Sequence, residues 1–473
     1  MLVSLLSRNK LDAQSTPFYL FLAILFLLPI PLGANRPWAW SIFEVAIFAL
    51  TLYTTFRLRK RQDAGVSHYM SMVLPWLAFI IVASIQVIPL PLTIVELLSP
   101  ASASLYSNAG ASTYYVSTDQ GQSLINLIKL LSLFCLLILT FQLITSERHI
   151  RLLLITMVAS GTCQALYGSL EILLDVQKSW IFGLDVGERA TGSFVYHNHY
   201  ANFLMMCLAA GVGLIVTSLE KDKLLSPKDR LRSIATSLLG SKTIIRICLA
   251  VMVIGLVMSR SRMGNTAFFI SVAVVGLIAL VLIKSRSKGL MIFVISMFII
   301  DLFIVSAYFG LEQVKDRLIQ TSLNQETRDE VVNDALKIIQ DFPIFGSGGG
   351  SFYSIFPSYQ VQDVFAFYDH AHNDYLQFTI EYGLVGAIIL FSILLFSFYK
   401  ALRAMYRRKN SIFKGTSFAV AMVLLGMSIH MTVDFPLQAF ANASYFVVFI
   451  ALSMVINTLK LRRKSRSRSR SLQ

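Results

Sequence analysis

The chain has 473 residues, of which 55% are hydrophobic and only 14% charged, with a mean hydropathy of +0.66. A soluble globular protein carries about 25% charged residues, so this composition excludes an ordinary soluble enzyme and describes a polytopic membrane protein. The net charge of +15 does not indicate nucleic acid, because the basic residues sit in short clusters between apolar runs, as membrane orientation requires.

A membrane-spanning helix needs about 20 mostly apolar residues. In chain order the sequence predicts twelve, at 18–35, 38–56, 69–88, 123–144, 152–173, 200–219, 244–259, 265–283, 290–309, 383–399, 416–431 and 444–459. The first lies within FYLFLAILFLLPIPLG, which has no small-residue cleavage pattern and so reads as a span and not as a removed leader. The four cysteines, Cys135, Cys163, Cys207 and Cys248, all fall within apolar runs and show no CxxC spacing, so they read as small buried hydrophobes.

With Arg8 and Lys10 placed inside, counting through the spans assigns 31 of the 41 Lys and Arg to cytoplasmic segments. The segment from Val87 to Ile128 has no Lys or Arg. Twelve spans with both termini cytoplasmic therefore satisfy the positive-inside rule. The expected organisation is nine helices in 1–309, a large external and partly helical loop at 310–382, three helices in 383–459, and a basic cytoplasmic tail at 460–473. That tail, which begins KLRRKSRSRSR, reads as a lipid-headgroup anchor in preference to an RNA-binding arm.

Within the large loop, NQETRDEVVNDALKIIQDFPIF has the apolar spacing of a helix, with Ser322 or Asn324 as a cap and Pro343 as a stop. Arg328 falls in its first turn, where a cation beside open backbone N–H groups could form an anion site; pairing with Glu326 or Asp329 is the plainer alternative. GSGGGSF at 346–352 can turn tightly, but it lacks the ending and the preceding strand of a phosphate loop and reads as a plain loop.

Five of the seven histidines map to the outer side: His197, His199, His370, His372 and His430. Two H-x-H pairs could hold a metal if extended, but HNDYLQF leads straight into a helix, where residues two apart do not share a face. A general base fits better, since neutral imidazole accepts protons near neutral pH; a purely structural histidine is the bland alternative for each. SRSRMG at 259–264 places Arg260 and Arg262 at an outer turn, where arginine suits bidentate binding of phosphate or a lipid headgroup. HMTVDFPLQ at 430–438 brings His430 and Asp434 to the last outer turn, with Asp434 bonding a backbone group or orienting a histidine. Arginines that suit a lipid diphosphate, together with a histidine that suits hydroxyl deprotonation, point to glycosyl transfer from a polyprenyl-diphosphate glycan.

His372-Asn373, nine residues, then Gly383-Leu384-Val385-Gly386 resembles the H-[NSQ]-x9-G-x-x-G signature of the O-antigen ligase family and its polymerase relatives. The stretches RDEVVNDALKIIQDFPIFGSGGGSF, SRSRMG, TGSFVYHNHYANFL and HMTVDFPLQ resemble that family too, so the likeness covers most of 185–440. The resemblance implies a bacterial inner-membrane protein with a periplasmic active site, acting on an undecaprenyl-pyrophosphate-linked glycan. It implies an inverting reaction without metal or other cofactor. The acceptor would be lipid A–core for a ligase, or a growing polysaccharide for a polymerase. By the same resemblance His372 activates the acceptor, Arg328 is catalytic, and Arg262 or Arg260 engages pyrophosphate. Asn373, Tyr375, Gln377, His370 and His199 are the further substrate-binding candidates. Ligases often carry Thr after the last Gly of the signature, whereas this chain has Ala387. A non-enzymatic transporter related to bicarbonate carriers is the reading from another class. Transporters place ionisable residues at mid-membrane, while here the polar groups gather at the outer rim.

Overall fold

The computed structural model describes residues 16–58, 66–219, 241–283, 291–292, 295–296, 328–360 and 368–459. Every regular element among them is a helix. In chain order the principal ones are α1 (Thr16–Leu27), α2 (Pro37–Leu58), α3 (Met70–Val87), α4 (Leu92–Leu98), α5 (Pro100–Asn108), α6 (Gln120–Leu143), α7 (Glu147–Leu173) and α8 (His197–Leu219). They continue with α9 (Ser241–Met258), α10 (Arg262–Leu282), α11 (Arg328–Asp341), α12 (Phe352–Ile355), α13 (Asp374–Arg407), α14 (Ser411–His430) and α15 (Phe440–Thr458).

Nine of the described helices are long and apolar enough to cross a membrane: α2, α3, α6, α7, α8, α10, α13, α14 and α15. Two shorter apolar helices, α1 and α9, match two more of the expected spans. The expected span at 290–309 lies largely outside the described residues, as do the proposed caps Ser322 and Asn324. The first span is shorter than its hydropathy suggests. Helix α1 stops at Leu27, because Pro29 and Pro31 follow and Leu32, Gly33 and Ala34 turn through left-handed backbone, with φ of 57°, 65° and 50°. Of the four cysteines only Cys207 is buried; Cys163 is exposed on the outside of the bundle.

Helices α8, α14 and α15 form the centre, with 89%, 83% and 94% of their apolar windows buried, against 28% for α13. The hydrophobic effect does not separate helices in lipid from one another, so close packing and polar contacts must hold this centre. Gly213 of α8 faces Gly415 of α14 so closely that a Cβ on Gly415 would sit 2.3 Å from the Gly213 carbonyl oxygen. Asn442 of α15 donates to the His199 carbonyl at 3.0 Å, and Tyr445 donates to the Leu25 carbonyl at 2.9 Å.

Helix α13 is the element that builds the site. Its 34 residues would extend about 51 Å if straight, well beyond a hydrocarbon core of about 30 Å. The helix breaks at Gly383, whose φ of 66° and ψ of −175° leave a short segment 374–382 and a membrane-length segment 384–407. Groups freed by the break are taken up by the chain after α11: Leu384 donates to the Pro343 carbonyl at 2.8 Å, and Ser347 donates to the Ile380 carbonyl at 2.8 Å. Gln86 of α3 clamps the crossing, donating to the Phe345 and Glu381 carbonyls at 2.6 and 2.7 Å and accepting from the Gly349 N–H at 3.1 Å. The glycine-rich loop is thus a packing device. A Cβ on Gly346 would lie 2.4 Å from the Glu381 carbonyl carbon, and one on Gly350 would lie 2.1 Å from Asn126 Nδ2.

Candidate functional site

The two H-x-H stretches meet at one aromatic ring. Phe435, in the turn between α14 and α15, stacks on the His370 imidazole with centroids 4.4 Å apart. It also meets His372 at 4.8 Å and His199 at 5.0 Å, both nearly perpendicular. Tyr196 stacks on another part of the same ring at 5.6 Å. His199 is buried and its Nε2 lies 3.2 Å from the Phe435 carbonyl oxygen. His197, two residues earlier, points elsewhere: its Nε2 lies 3.0 Å from Arg189 Nη1. The HNH pair therefore diverges, as expected at a helix start, and no three His, Cys, Asp or Glu among the described residues are grouped to hold a metal ion.

His372 has φ of +49°, left-handed backbone that a residue with a Cβ adopts only when its surroundings enforce it. The enforcement comes from Asn373. Its Oδ1 caps α13 by accepting from the Leu376 N–H at 3.0 Å, and its Nδ2 donates to the Thr432 carbonyl at 2.9 Å. Both ends of its amide are thus engaged by backbone. Next, Asp374 is fully buried; its N–H reaches the Met431 and Asp434 carbonyls at 3.1 Å, and its carboxylate accepts from the Leu437 N–H at 3.0 Å. Tyr375 donates to the Ser428 carbonyl at 3.1 Å. The start of α13 is so tied to the α14–α15 turn at several points.

Gln377 lies one turn further. Its Oε1 accepts from the Ala371 N–H at 3.2 Å, while its Nε2 lies 3.1 Å from His370 Nδ1 and 2.9 Å from Glu381 Oε1. Glu381 is buried and also accepts from the Gly350 and Phe352 N–H groups. Burial pushes the His370 imidazole below its ordinary pKa, and the nearby His372 and Lys129 act in the same direction against the opposing pull of Asp369 and Gln377. His370 is therefore neutral at pH 7.

Asp434 bonds a backbone group, the first of the two roles open to it, and lies near His430. It accepts from the Phe435 N–H at 2.8 Å and from Asn198, and its Oδ2 lies 3.8 Å from His430 Nε2. Burial alone would raise its carboxyl; the adjacent His430 and His199 outweigh that and hold it below the ordinary aspartate range.

Beside this cluster lies a cavity of about 420 Å³ between α3, α6, α13 and α15. Its walls are mostly apolar, with Trp76, Phe391 and Ile450 among them, and its polar lining comes from Asn126, Lys129, Tyr375, Thr379, Tyr382 and Gln438. Tyr375 and Thr379, near the start of α13, form part of its wall, and Gln438 donates to Asp374 Oδ1 at 3.4 Å. Lys129 stands over the Trp40 ring at 3.5 Å, a cation–π contact that holds a positive charge in an apolar wall.

The arginines are less tightly gathered. Arg260, at φ of +50°, pairs with Glu188 at 2.8 Å on the exposed surface. Arg262 begins α10, is exposed, and touches none of the histidines. Arg328 is the first described residue of α11, whose other end leads into the glycine-rich loop. Reading the sequence missed Phe435, Lys129, Glu381 and Arg189. Three of these signals were present: a charge in an apolar run at Lys129, a carboxylate inside the signature spacing at Glu381, and a basic residue on the outer side at Arg189. Phe435 gave none, since an aromatic residue between two spans is ordinary.

The fold and site define a multi-pass membrane protein in which histidines from two distant segments meet at one ring in the α14–α15 turn, and neighbouring residues of that turn, Met431, Leu437 and Gln438, line an apolar, cation-bearing cavity. Residues 247–391 match the family described as O-antigen ligase, which supports the superfamily of O-antigen ligases and polymerases that the His372 signature resembles. The matched segment contains Arg260, Arg262, Arg328, His370 and His372. No curated protein matches the chain.

Proposed function

We propose that the protein transfers a glycan from undecaprenyl pyrophosphate to an acceptor hydroxyl at the periplasmic face of the bacterial inner membrane, with both termini cytoplasmic. The transfer inverts the anomeric centre and uses no metal. The acceptor is lipid A–core, as in an O-antigen ligase. The observation that supports this reading is that the turn carrying Phe435 and its histidine cluster also supplies Met431, Leu437 and Gln438 to the wall of the apolar cavity, with Tyr375 of α13 beside them. A polyprenyl chain needs an apolar slot within the membrane, and a glycosyl acceptor needs a base at its mouth.

In the proposed mechanism the lipid tail enters between α3, α6, α13 and α15. His372 takes the proton from the acceptor hydroxyl as its oxygen bonds to the anomeric carbon. The bond from that carbon to the diphosphate oxygen breaks, and the electron pair leaves with undecaprenyl diphosphate. Arg328 and Arg262 offset the negative charge that builds on the leaving group. Arg262 is the better placed of the SRSR pair, because Arg260 is already matched by Glu188. Asn373 and Tyr375 support the site through backbone contacts, and His199 supports the ring of Phe435.

A polymerase that joins lipid-linked repeats would use the same chemistry, and Ala387 at the position where ligases often carry Thr favours it. The test is a deletion strain complemented with wild type, H372A or R328A, with surface glycan and lipid A–core resolved on gels. A ladder attached to core with wild type, and undecaprenyl-linked chains left unattached with both variants, supports the ligase. Core attachment with chains of one repeat supports the polymerase. Wild-type patterns from both variants refute the reaction and the site.

A further inference from the structure

The two histidines of HAHN stand in unlike surroundings. The Ala371 N–H can only donate, so the Gln377 atom that it meets is the amide oxygen. That leaves the amide NH2 facing His370 Nδ1 at 3.1 Å and Glu381 Oε1 at 2.9 Å. An NH2 group has two hydrogens and both are used. Neither can be met by another donor, so His370 Nδ1 must be bare and must accept. Glu381 fixes the other hydrogen. It is anchored in turn by the Gly350 and Phe352 N–H groups of the glycine-rich turn. The imidazole plane is held by its stack on Phe435.

We propose that Gln377 and Glu381 are positioning residues that lock His370 as the neutral Nε2–H form, so that it donates a hydrogen bond to the bound glycan or diphosphate and does not act as the base. The proposal rests on the transferase reading above and divides its labour: His372 accepts the proton and His370 offers one without giving it up. A bare Nδ1 blocked by Gln377 cannot collect a proton from a hydroxyl, and Nε2 already carries one. The glycine-rich turn thus acts on the site indirectly, by fixing the carboxylate at the far end of the relay.

Nitrogen NMR of the full-length protein in lipid nanodiscs tests this without any turnover. His370 is the one histidine followed by Ala, so labelling histidine with 13C and 15N and alanine with 15N selects its signal through the bond to Ala371. The expected wild-type result at neutral pH is a bare Nδ1 and a protonated Nε2. In Q377M the Nδ1–H form should appear beside it. Turnover with lipid-linked donor should then fall about tenfold, the effect of one misplaced hydrogen bond, with KM little changed. An imidazolium or an Nδ1–H form in the wild type would overturn the proposal, as would a Q377M ring spectrum identical to wild type. The wild-type spectrum needs no variant to fold. If His370 shows the bare Nδ1 but no glycan is transferred to any acceptor, the reaction assigned above fails while the locked tautomer stands.

Discussion

The Phe435 ring meets the His372 imidazole edge to face, with centroids 4.8 Å apart and planes at 85°. His372 cannot choose this place by local preference, because its φ of +49° opposes it. The residue is held between the Asn373 cap behind it and the Phe435 ring before it. Replacing Phe435 by Leu keeps an apolar side chain but removes the ring that orients three histidines. An aromatic contact of this kind contributes about 0.5–1.5 kcal/mol. F435L should therefore lower glycan transfer about tenfold while the melting temperature stays within a few degrees of wild type. A variant with full activity would show that the ring is only filler.

The arginines and the base should separate in kinetics. Removing a general base costs about 10²–10⁴-fold, so H372A should leave turnover in that range below wild type. R262A should lose far more activity than R260A, since Arg260 is already paired with Glu188 in an exposed contact that contributes little. Assays of membranes from each strain with the same lipid-linked donor check the order. Equal losses for R260A and R262A would show that the pair with Glu188 opens to bind substrate.

Gly383 should be irreplaceable for stability. A Cβ there would lie 2.2 Å from the Ile344 carbonyl oxygen, and its φ of 66° with ψ of −175° is a conformation that only glycine adopts readily. Backbone strain alone costs about 1–3 kcal/mol, before the clash is counted. G383A should lower the melting temperature in detergent and reduce the yield of folded protein, while A387G, four residues along the same helix, should have a smaller effect. The clash also breaks the contact that seats the glycine-rich turn.

The transmembrane helices were legible because an apolar run of membrane length declares itself without tertiary information. Nine of the twelve expected spans coincide with described helices long and apolar enough to cross a membrane, and two more overlap shorter apolar helices. The break in α13 was half legible: the signature contains Gly383, but what the break accommodates depends on Gln86 and on residues 343–350. The convergence at Phe435 was not legible at all. It joins His199, His370, His372 and Phe435 from segments as far as 236 residues apart, and no local period records such a meeting. Arg189 and Lys129 stand out in the sequence only as basic residues away from the basic clusters. Their contacts with His197 and Trp40 come from packing.

Acid should destabilise the protein in two steps with different causes. Burial lowers the His370 pKa from its ordinary 6.5, so the folded state holds this ring neutral while the unfolded chain takes up a proton. Stability is then complete above about pH 6.5 and falls as pH drops through that value towards the folded pKa. Asp434 is held below its ordinary 3.8 by His430 and His199 despite burial. Its contribution is present above that value and is lost as pH falls towards the lower folded pKa. The difference in melting temperature between wild type and H370Q should be constant from pH 8 to pH 7 and change below about pH 6.5. H370Q should remove part of the decline near pH 6 and leave the loss below pH 4. A pH dependence between pH 7 and pH 5 identical in wild type and H370Q would refute a neutral, buried His370.

The cavity gives the last prediction, because it separates lipid binding from chemistry. Ala387 lines its wall on α13, opposite α3 and α6, and is only half-buried, so a larger side chain can project into the empty space without displacing a packed core. A387W should fill part of the 420 Å³ and obstruct a polyprenyl tail, while His372, Gln377 and Phe435 keep their contacts. The expected signature is a raised KM for the long-chain lipid donor. A soluble short-chain analogue, which does not need the full slot, should be used nearly as well as by wild type. K129M, by contrast, removes the cation from the wall and should weaken donors of both lengths equally, since both carry the diphosphate. If A387W slows both donors alike, the tail lies elsewhere, and the cavity does not belong to the donor path. If it slows neither, the space is a packing void with no part in the reaction.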